Sequence, residues 1–338
     1  MTDTILAGVD FLSTSNYPPT EFLDLKNIIS AILILCSVHA YGQTDSLFEY
    51  FGGVVYLDSI TVRASESGFD AADFIEKVKT DESFYRAFKN IRKLSYSADN
   101  EIFIKNKNKK TKAAYTSLTV QTSDGDCREM RIDREKVEGD FFKKGRDYRY
   151  YTAKLFDRVF YTDGRVCEST RAVGQNENPS GTEKHYRELK KLIFSPGQKA
   201  DVPFIGKKTA IFSEEMQPFY DYAITSDTYR DGTDCYIFTA TAKPEFKADK
   251  TVIKHLETGF AKDNFQITAR NYRLEYYGLA FDFAVEMQVD IKKIGDLYVP
   301  EKVVYDGFFD VPFKKGEYGN FTVMLRDFEW FSFNIRFL

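Results

Sequence analysis

The sequence predicts an α+β protein built on one large, curved antiparallel sheet with a few helices covering its concave face. Three observations predict it. From Leu279 to Ile291 apolar and polar residues alternate without a break. Four Asp-Gly pairs (Asp124-Gly125, Asp163-Gly164, Asp231-Gly232 and Asp306-Gly307) punctuate the chain. Aromatic residues make up 16% of it, with 31 Phe and 22 Tyr, and aromatic side chains suit a pleated, half-buried surface.

The long strand carries Leu279, Phe281, Phe283, Val285, Met287, Val289 and Ile291 at every odd position, so these seven side chains share one face. They are either ordinary core or the wall of an apolar ligand site. At the usual rise of a strand the segment spans about 40 Å, which calls for a large curved sheet. Tyr298–Tyr305 and Asn320–Phe328 read as its neighbours, and Phe331, Phe333, Ile335 and Phe337 alternate again near the C-terminus.

Asp-Gly between alternating runs marks a hairpin turn. The first pair joins Tyr115–Thr122 to Cys127–Glu135, the second Tyr148–Tyr161 to Arg165–Thr170, and the third Ile224–Tyr229 to Cys235–Ala242. Asp306-Gly307 has long aromatic flanks and reads as a bulge within a strand.

Helices are few. Asp70 can cap a helix that begins at Ala71, with a break near Asp81 and a second stretch to Lys93. Thr182 can cap another, with Tyr186, Leu189 and Ile193 on one face. A third is expected from about Asp249, where Val252, Leu256 and Phe260 recur at steps of four. Strands with sparse helices on one face describe an α+β architecture.

Residues 26–42 read as a secretory signal peptide. Lys26 supplies the positive flank, Ile28–Val38 the apolar run, and Ala40 and Gly42 the small residues before a new N-terminus at Gln43. The run is too short for a membrane-spanning helix. The alternative is a buried helix of a cytoplasmic protein. Cys36 invites lipidation, but Leu35 stands where a small residue belongs. The acidic lead, 1–25, is unusual before such a segment and reads as an extension from a translation start placed too far upstream. Residues 43–58 form a lead, and 59–338 one β-rich domain, with Gly174–Gly181 as its best candidate seam. The expected location is outside the cytoplasm, in the periplasm or at the outer membrane or cell surface.

Removal of 1–42 takes four acids and one base from totals of 51 and 47, leaving a nearly neutral chain. No basic stripe marks a nucleic-acid partner. Cys127, Cys167 and Cys235 remain. An oxidising compartment permits a disulfide, and Cys127 with Cys167 is the preferred pair because both lie near strand ends; three buried thiols is the other reading. His185 and His255 lack partners at ligand spacing, so no metal site is expected.

No nucleophile elbow, phosphate loop, dinucleotide fingerprint or zinc-protease helix is present, so neither an enzyme nor a cofactor is expected. Ser180 is a loop serine. Asp282, Glu286 and Asp290 share the polar face of the long strand, as a solvated surface or as a cation or glycan site. Lys105–Lys112 (KNKNKKTK) reads as a solvated hairpin tip or a contact for anionic headgroups.

The order of a helix, curved strands and inserted helices resembles the half-barrel of the outer-membrane lipoprotein-sorting carriers (LolA-like). The phrases Asp263-Asn264-Phe265-Gln266-Ile267 leading to Arg270, and Tyr298-Val299-Pro300 before a strand, are similar to theirs. The resemblance spans Ser59–Phe328, and the whole chain also resembles exported proteins of the Bacteroidota. It implies a half-barrel that holds a lipid or the acyl chain of a lipoprotein, with peripheral membrane contact. It transfers no functional residue.

Two other readings compete with an apolar-ligand carrier. One is a structural or partner-binding module with a filled core. The other is an outer-membrane β-barrel, favoured by the alternation ending at Phe337 but opposed by 29% charged residues and the charged run Arg128–Glu135.

Overall fold

Twelve antiparallel strands form a single sheet in a computed structural model that describes residues 54–57, 71–167, 194, 196–199, 205–228, 232–278, 282–310 and 316–329. The chain divides into Met1–Thr44, outside the described residues, and Asp45–Leu338, which contains them all. The elements are β1 (Val54–Leu57), α1 (Ala71–Thr80), α2 (Ser83–Asn90), β2 (Ser95–Lys105), β3 (Thr111–Ser123), β4 (Cys127–Gly139), α3 (Tyr151–Phe160) and β5 (Val166–Cys167). They continue with β6 (Tyr220–Thr228), β7 (Asp234–Ala242), β8 (Ile253–Ala261), β9 (Ile267–Tyr277), β10 (Asp282–Ile294), β11 (Leu297–Asp310) and β12 (Glu317–Glu329).

The spatial order is β1-β6-β7-β8-β9-β10-β11-β12-β2-β3-β4-β5. Sequential hairpins run from β6 to β12, and β12 then closes against β2. Among the described residues the sheet has free edges at β1 and β5, so it is an open half-barrel and not a closed barrel. β1 lies inside 43–58, so the sheet begins within the stretch that the sequence assigns to a lead.

Strand alternation sets the layers. On β10, Phe283, Val285, Met287, Val289 and Ile291 are buried, while Glu286 and Gln288 face solvent. Pairing extends the buried set into rows across the sheet. Arg270, Val289, Val303, Val323, Asn100 and Ser117 form one row. Tyr272, Met287, Tyr305, Phe321, Ile102 and Tyr115 form the next. Leu274, Val285, Gly307, Gly319, Ile104 and Ala113 form a third. Helices α1, α2 and α3 cover this face. Phe74, Phe84, Phe88, Phe156 and Phe160 enter its core, where fully burying such a side chain is worth about 1.5–3 kcal/mol.

Helix α1 begins at Ala71, and α1 and α2 break at Asp81, whose Oδ1 accepts the Ser83 N–H at 2.9 Å. This is the break the sequence predicts. Asp124-Gly125 turns β3 into β4, with Gly125 at φ +95°.

Three expectations are corrected. Tyr148–Tyr161, expected as a strand, contains α3; its buried Thr152, Ala153, Phe156 and Phe160 follow a helical period. The helix expected from Asp249 is strand β8. Steps of four fit one face of a helix and also one face of a strand, and Thr258 hides the alternation between Leu256 and Phe260. Asp306 and Gly307 pair in regular register with Glu286 and Val285, so no bulge lies there. The irregularity falls at Asp290/Ile291, where partners skip from Lys302 to Pro300. Pro300 lacks an N–H, and a bulge accommodates it inside a strand. The helix expected after Thr182, the seam Gly174–Gly181, the segment Lys26–Gln43, Ser180, His185 and the alternation Phe331–Phe337 lie outside the described residues.

Candidate functional site

The concave face is the candidate site, because it gathers the apolar core of the described residues against short helices. Of the seven side chains expected to line it, Leu279 and Phe281 lie outside the described residues. The other five are at most 6% exposed. Tyr272 Oη donates to Met287 Sδ at 2.9 Å, and Phe283 stacks with Phe309 at a 6.4 Å centroid distance. These five are therefore packed core around the site and not an open wall.

The covering is closely packed beneath α3. Gly307 and Gly319 face each other across β11 and β12. A Cβ on Gly319 would collide with Thr152, and one on Gly307 with the Tyr305 ring. The two glycines thus make a floor on which α3 sits close. Phe321 stacks on Tyr305 at 4.6 Å and meets Phe156 edge-on at 5.3 Å. The helix is held at its start by Glu317 of β12, whose carboxylate accepts the N–H groups of Tyr151 and Thr152 at 2.9 and 2.8 Å. An acid at a helix N-terminus also suits the helix dipole.

Three hydroxyls in this region, Thr152 Oγ1, Tyr305 Oη and Tyr150 Oη, are buried without a hydrogen-bond partner among the described residues. Each such group costs about 1–3 kcal/mol. Burial pushes the Tyr305 and Tyr272 phenols above their ordinary value of 10.0, so both stay protonated at neutral pH. Among the described residues the site holds no nucleophile–base pair. Its chemistry is apolar contact with isolated hydroxyl donors.

The floor, Thr152 and Tyr305 are functional candidates that sequence reasoning does not reach. The one available signal is a glycine on each of two neighbouring aromatic strands. Sequence reasoning also misses the polar end of the concave face. There Asn100, Ser117 and Thr119 are hydrogen-bonded together, Ser117 Oγ lies 2.7 Å from Tyr161 Oη, and Gln121 donates to the Ile91 and Leu94 carbonyls.

The acidic trio of β10 is not brought together. Asp290 lines a polar cleft of about 330 Å³ on the outer face, with Asp227, Glu257, Asn271 and Lys302. Glu286 lines another of about 280 Å³ beside His255. Asp282 Oδ1 accepts the Gly278 N–H at the β9–β10 turn. Lys107–Lys112 are exposed at the β2–β3 hairpin tip, with Lys109 Nζ 4.0 Å from the centre of the Tyr318 ring. Asp126, Cys127 and Cys167 lie together, but a disulfide joins the two cysteines, which removes both thiolates as metal ligands. Cys235 is a buried cysteine outside the disulfide, with Sγ 3.4 Å from Thr268 Oγ1. Among the described residues no helix is long and apolar enough to cross a membrane.

No protein-family profile and no curated protein matches the chain. Three solved structures show a distant likeness. A DUF1329 family protein from Desulfovibrio piger is 13% identical, covers 74% of this chain and 94% of its own, and has a TM-score of 0.23. A domain described as an outer membrane lipoprotein-sorting protein, from Vibrio parahaemolyticus, is 9% identical with coverages of 75% and 92% and a TM-score of 0.25. A LolA superfamily protein from Nitrosomonas europaea is 9% identical with coverages of 73% and 91% and a TM-score of 0.22. At identities and scores this low, none of the three assigns a function to this chain.

Proposed function

We propose that this chain is a non-enzymatic binding protein that works outside the cytoplasm and takes an apolar ligand on its concave face, either a lipid or the acyl chain of a lipid-modified partner. One observation carries the reading: the seam beneath α3. A glycine floor, aromatic walls and the partnerless Tyr305 hydroxyl lie under a ten-residue helix that is not part of the sheet and brings the buried Thr152 hydroxyl to the same seam. A ligand that displaces α3 gains apolar contact with the floor, and a hydroxyl or carbonyl on it meets Tyr305, which stays on β11. Apolar sites with a few placed polar groups are the usual form of small-ligand sites. The signal-like segment 26–42 and the Cys127–Cys167 disulfide support work in an oxidising compartment.

A second reading, a partner-binding module with a filled core, is favoured by the near-complete burial of Phe283, Val285, Met287, Val289 and Ile291. Titration of the purified protein with a fluorescent fatty acid separates the two. Saturable uptake, competed by an unlabelled fatty acid, supports the carrier. A folded protein that takes up none supports the module and overturns the carrier.

A further inference from the structure

Helix α2 has two faces. Phe84, Ala87, Phe88 and the following Ile91 are buried in the core. Arg86, Lys89 and Lys93 follow one another at steps of three and four, so they share an exposed face. That face lines a cleft of about 390 Å³. The opposite wall is Gln266, at the β8–β9 turn, with Asp296 and Tyr298 at the β10–β11 hairpin.

The cleft is held in shape by hydrogen bonds. Asn90 Nδ2 donates to the Tyr298 carbonyl at 3.0 Å, and Asn264 Nδ2 donates to Tyr298 Oη at 2.7 Å. Ser83 Oγ, at the cleft edge, accepts the Ile267 N–H at 3.2 Å. The cations, by contrast, are unspent. Among the described residues none of the three has a carboxylate within salt-bridge distance, and Lys89 Nζ has only the Tyr85 ring, at 4.4 Å. One carboxylate, Asp296, lines the cleft against three positive groups. Lys89 lies in the last turn of α2 and Lys93 in the 3-10 turn Ile91–Lys93 that follows it, so the three charges gather toward the C-terminal end of the helix.

We propose that this cleft binds a phosphate ester. Arg86 presents a planar fork that matches two phosphate oxygens, and Lys89 and Lys93 add point charges. Gln266 supplies a neutral donor. The same chemistry is offered by an anionic lipid headgroup and by a soluble phosphate. The site does not rest on the apolar-ligand reading, because it uses the face of α2 that points away from the core.

The test compares the unaltered protein with the triple variant R86Q/K89Q/K93Q and with a hairpin-tip control, K107Q/K109Q/K110Q. All six positions are exposed, and circular dichroism checks that the fold is kept. Glycerol 3-phosphate is titrated calorimetrically, and flotation is measured with phosphatidylcholine vesicles with and without phosphatidylglycerol. The unaltered protein and the control are expected to bind at least one phosphate probe. The triple variant is expected to lose about fivefold in affinity per charge removed, the usual worth of one basic residue near an anionic surface. Binding to phosphatidylglycerol vesicles alone assigns the headgroup, and binding to glycerol 3-phosphate assigns a soluble ester. No binding of either probe, or equal binding by the triple variant, overturns the site. Fatty-acid uptake by the triple variant should be unchanged, so the two proposals fail separately.

Discussion

Arg270 and Asp81 form a buried charge pair: Nη2 lies 3.5 Å from Oδ2, and the side chains are 7% and 5% exposed. The two groups attract as charges but do not hydrogen-bond, since Oδ2 has no hydrogen-bond partner. Arg270 Nε donates to Thr258 Oγ1 at 3.0 Å, and the guanidinium lies 4.5 Å from the centre of the Phe84 ring. Burial pulls the guanidinium down to about 10 while Asp81 opposes the fall, so it stays charged at neutral pH. The pair ties the α1–α2 break to strand β9. Removing Asp81 leaves a buried cation unpaired, which costs about 3–5 kcal/mol; the long contact favours the lower end. Urea unfolding of Asp81→Ala should show this loss, and D81A/R270M should recover most of it. An unchanged midpoint in Asp81→Ala would mean that the break is held by packing alone.

Reduction of Cys127–Cys167 should destabilise the protein. The bond closes a loop of 40 residues that contains α3, and loop-closure entropy puts its worth at about 4 kcal/mol. Thermal unfolding of C127S/C167S, compared with the oxidised protein, measures it. A shift close to zero would mean that the α3 loop is already ordered in the unfolded chain.

Tyr305→Phe removes a buried hydroxyl that has no partner. It should leave stability unchanged or raise it by about 1 kcal/mol, because the desolvation cost of that group is relieved. Gly319→Ala places a methyl group against Thr152 and should cost about 1–3 kcal/mol through overpacking. Denaturant midpoints of the two variants should therefore move in opposite directions or differ clearly. A destabilised Tyr305→Phe would show that the hydroxyl has a native partner.

The protein should unfold cooperatively at alkaline pH. Burial raises the phenols of Tyr96, Tyr220, Tyr222, Tyr272 and Tyr305 above 10.0. Between 10 and those native values the unfolded chain releases protons that the folded one keeps, so stability falls as pH rises. Arg270 and Lys254 act oppositely, because burial lowers their native values, but the raised phenols outnumber them. Tyrosinate absorbance should rise together with the loss of near-ultraviolet dichroism. Ionisation of these phenols in a still-folded protein would contradict their burial.

The sheet was legible in the sequence where one face is apolar and the other polar. β10 shows it at Phe283 to Ile291, and Asp124-Gly125 places the β3–β4 hairpin, whereas Asp163-Gly164 follows α3 and Asp306-Gly307 lies within β11. It was illegible where one spacing fits two periods, as at Val252, Leu256 and Phe260. It also failed where the partner is distant. The first N–H groups of α3 are accepted by Glu317, which lies more than 160 residues along the chain, so no local signal marks that helix start. The candidate floor depends on Gly307 and Gly319 being opposed, which is a property of strand register. The cations of α2 were readable as spacing, but the cleft opposite them is made by two distant hairpins.

Native mass spectrometry of the protein, purified without detergent and then incubated with a fatty acid, tests the apolar site most directly. A carrier should show the polypeptide mass plus bound lipid, with the fatty acid replacing it. A single ligand-free mass before and after incubation, from protein that keeps its near-ultraviolet dichroism, would contradict a concave face that takes apolar cargo.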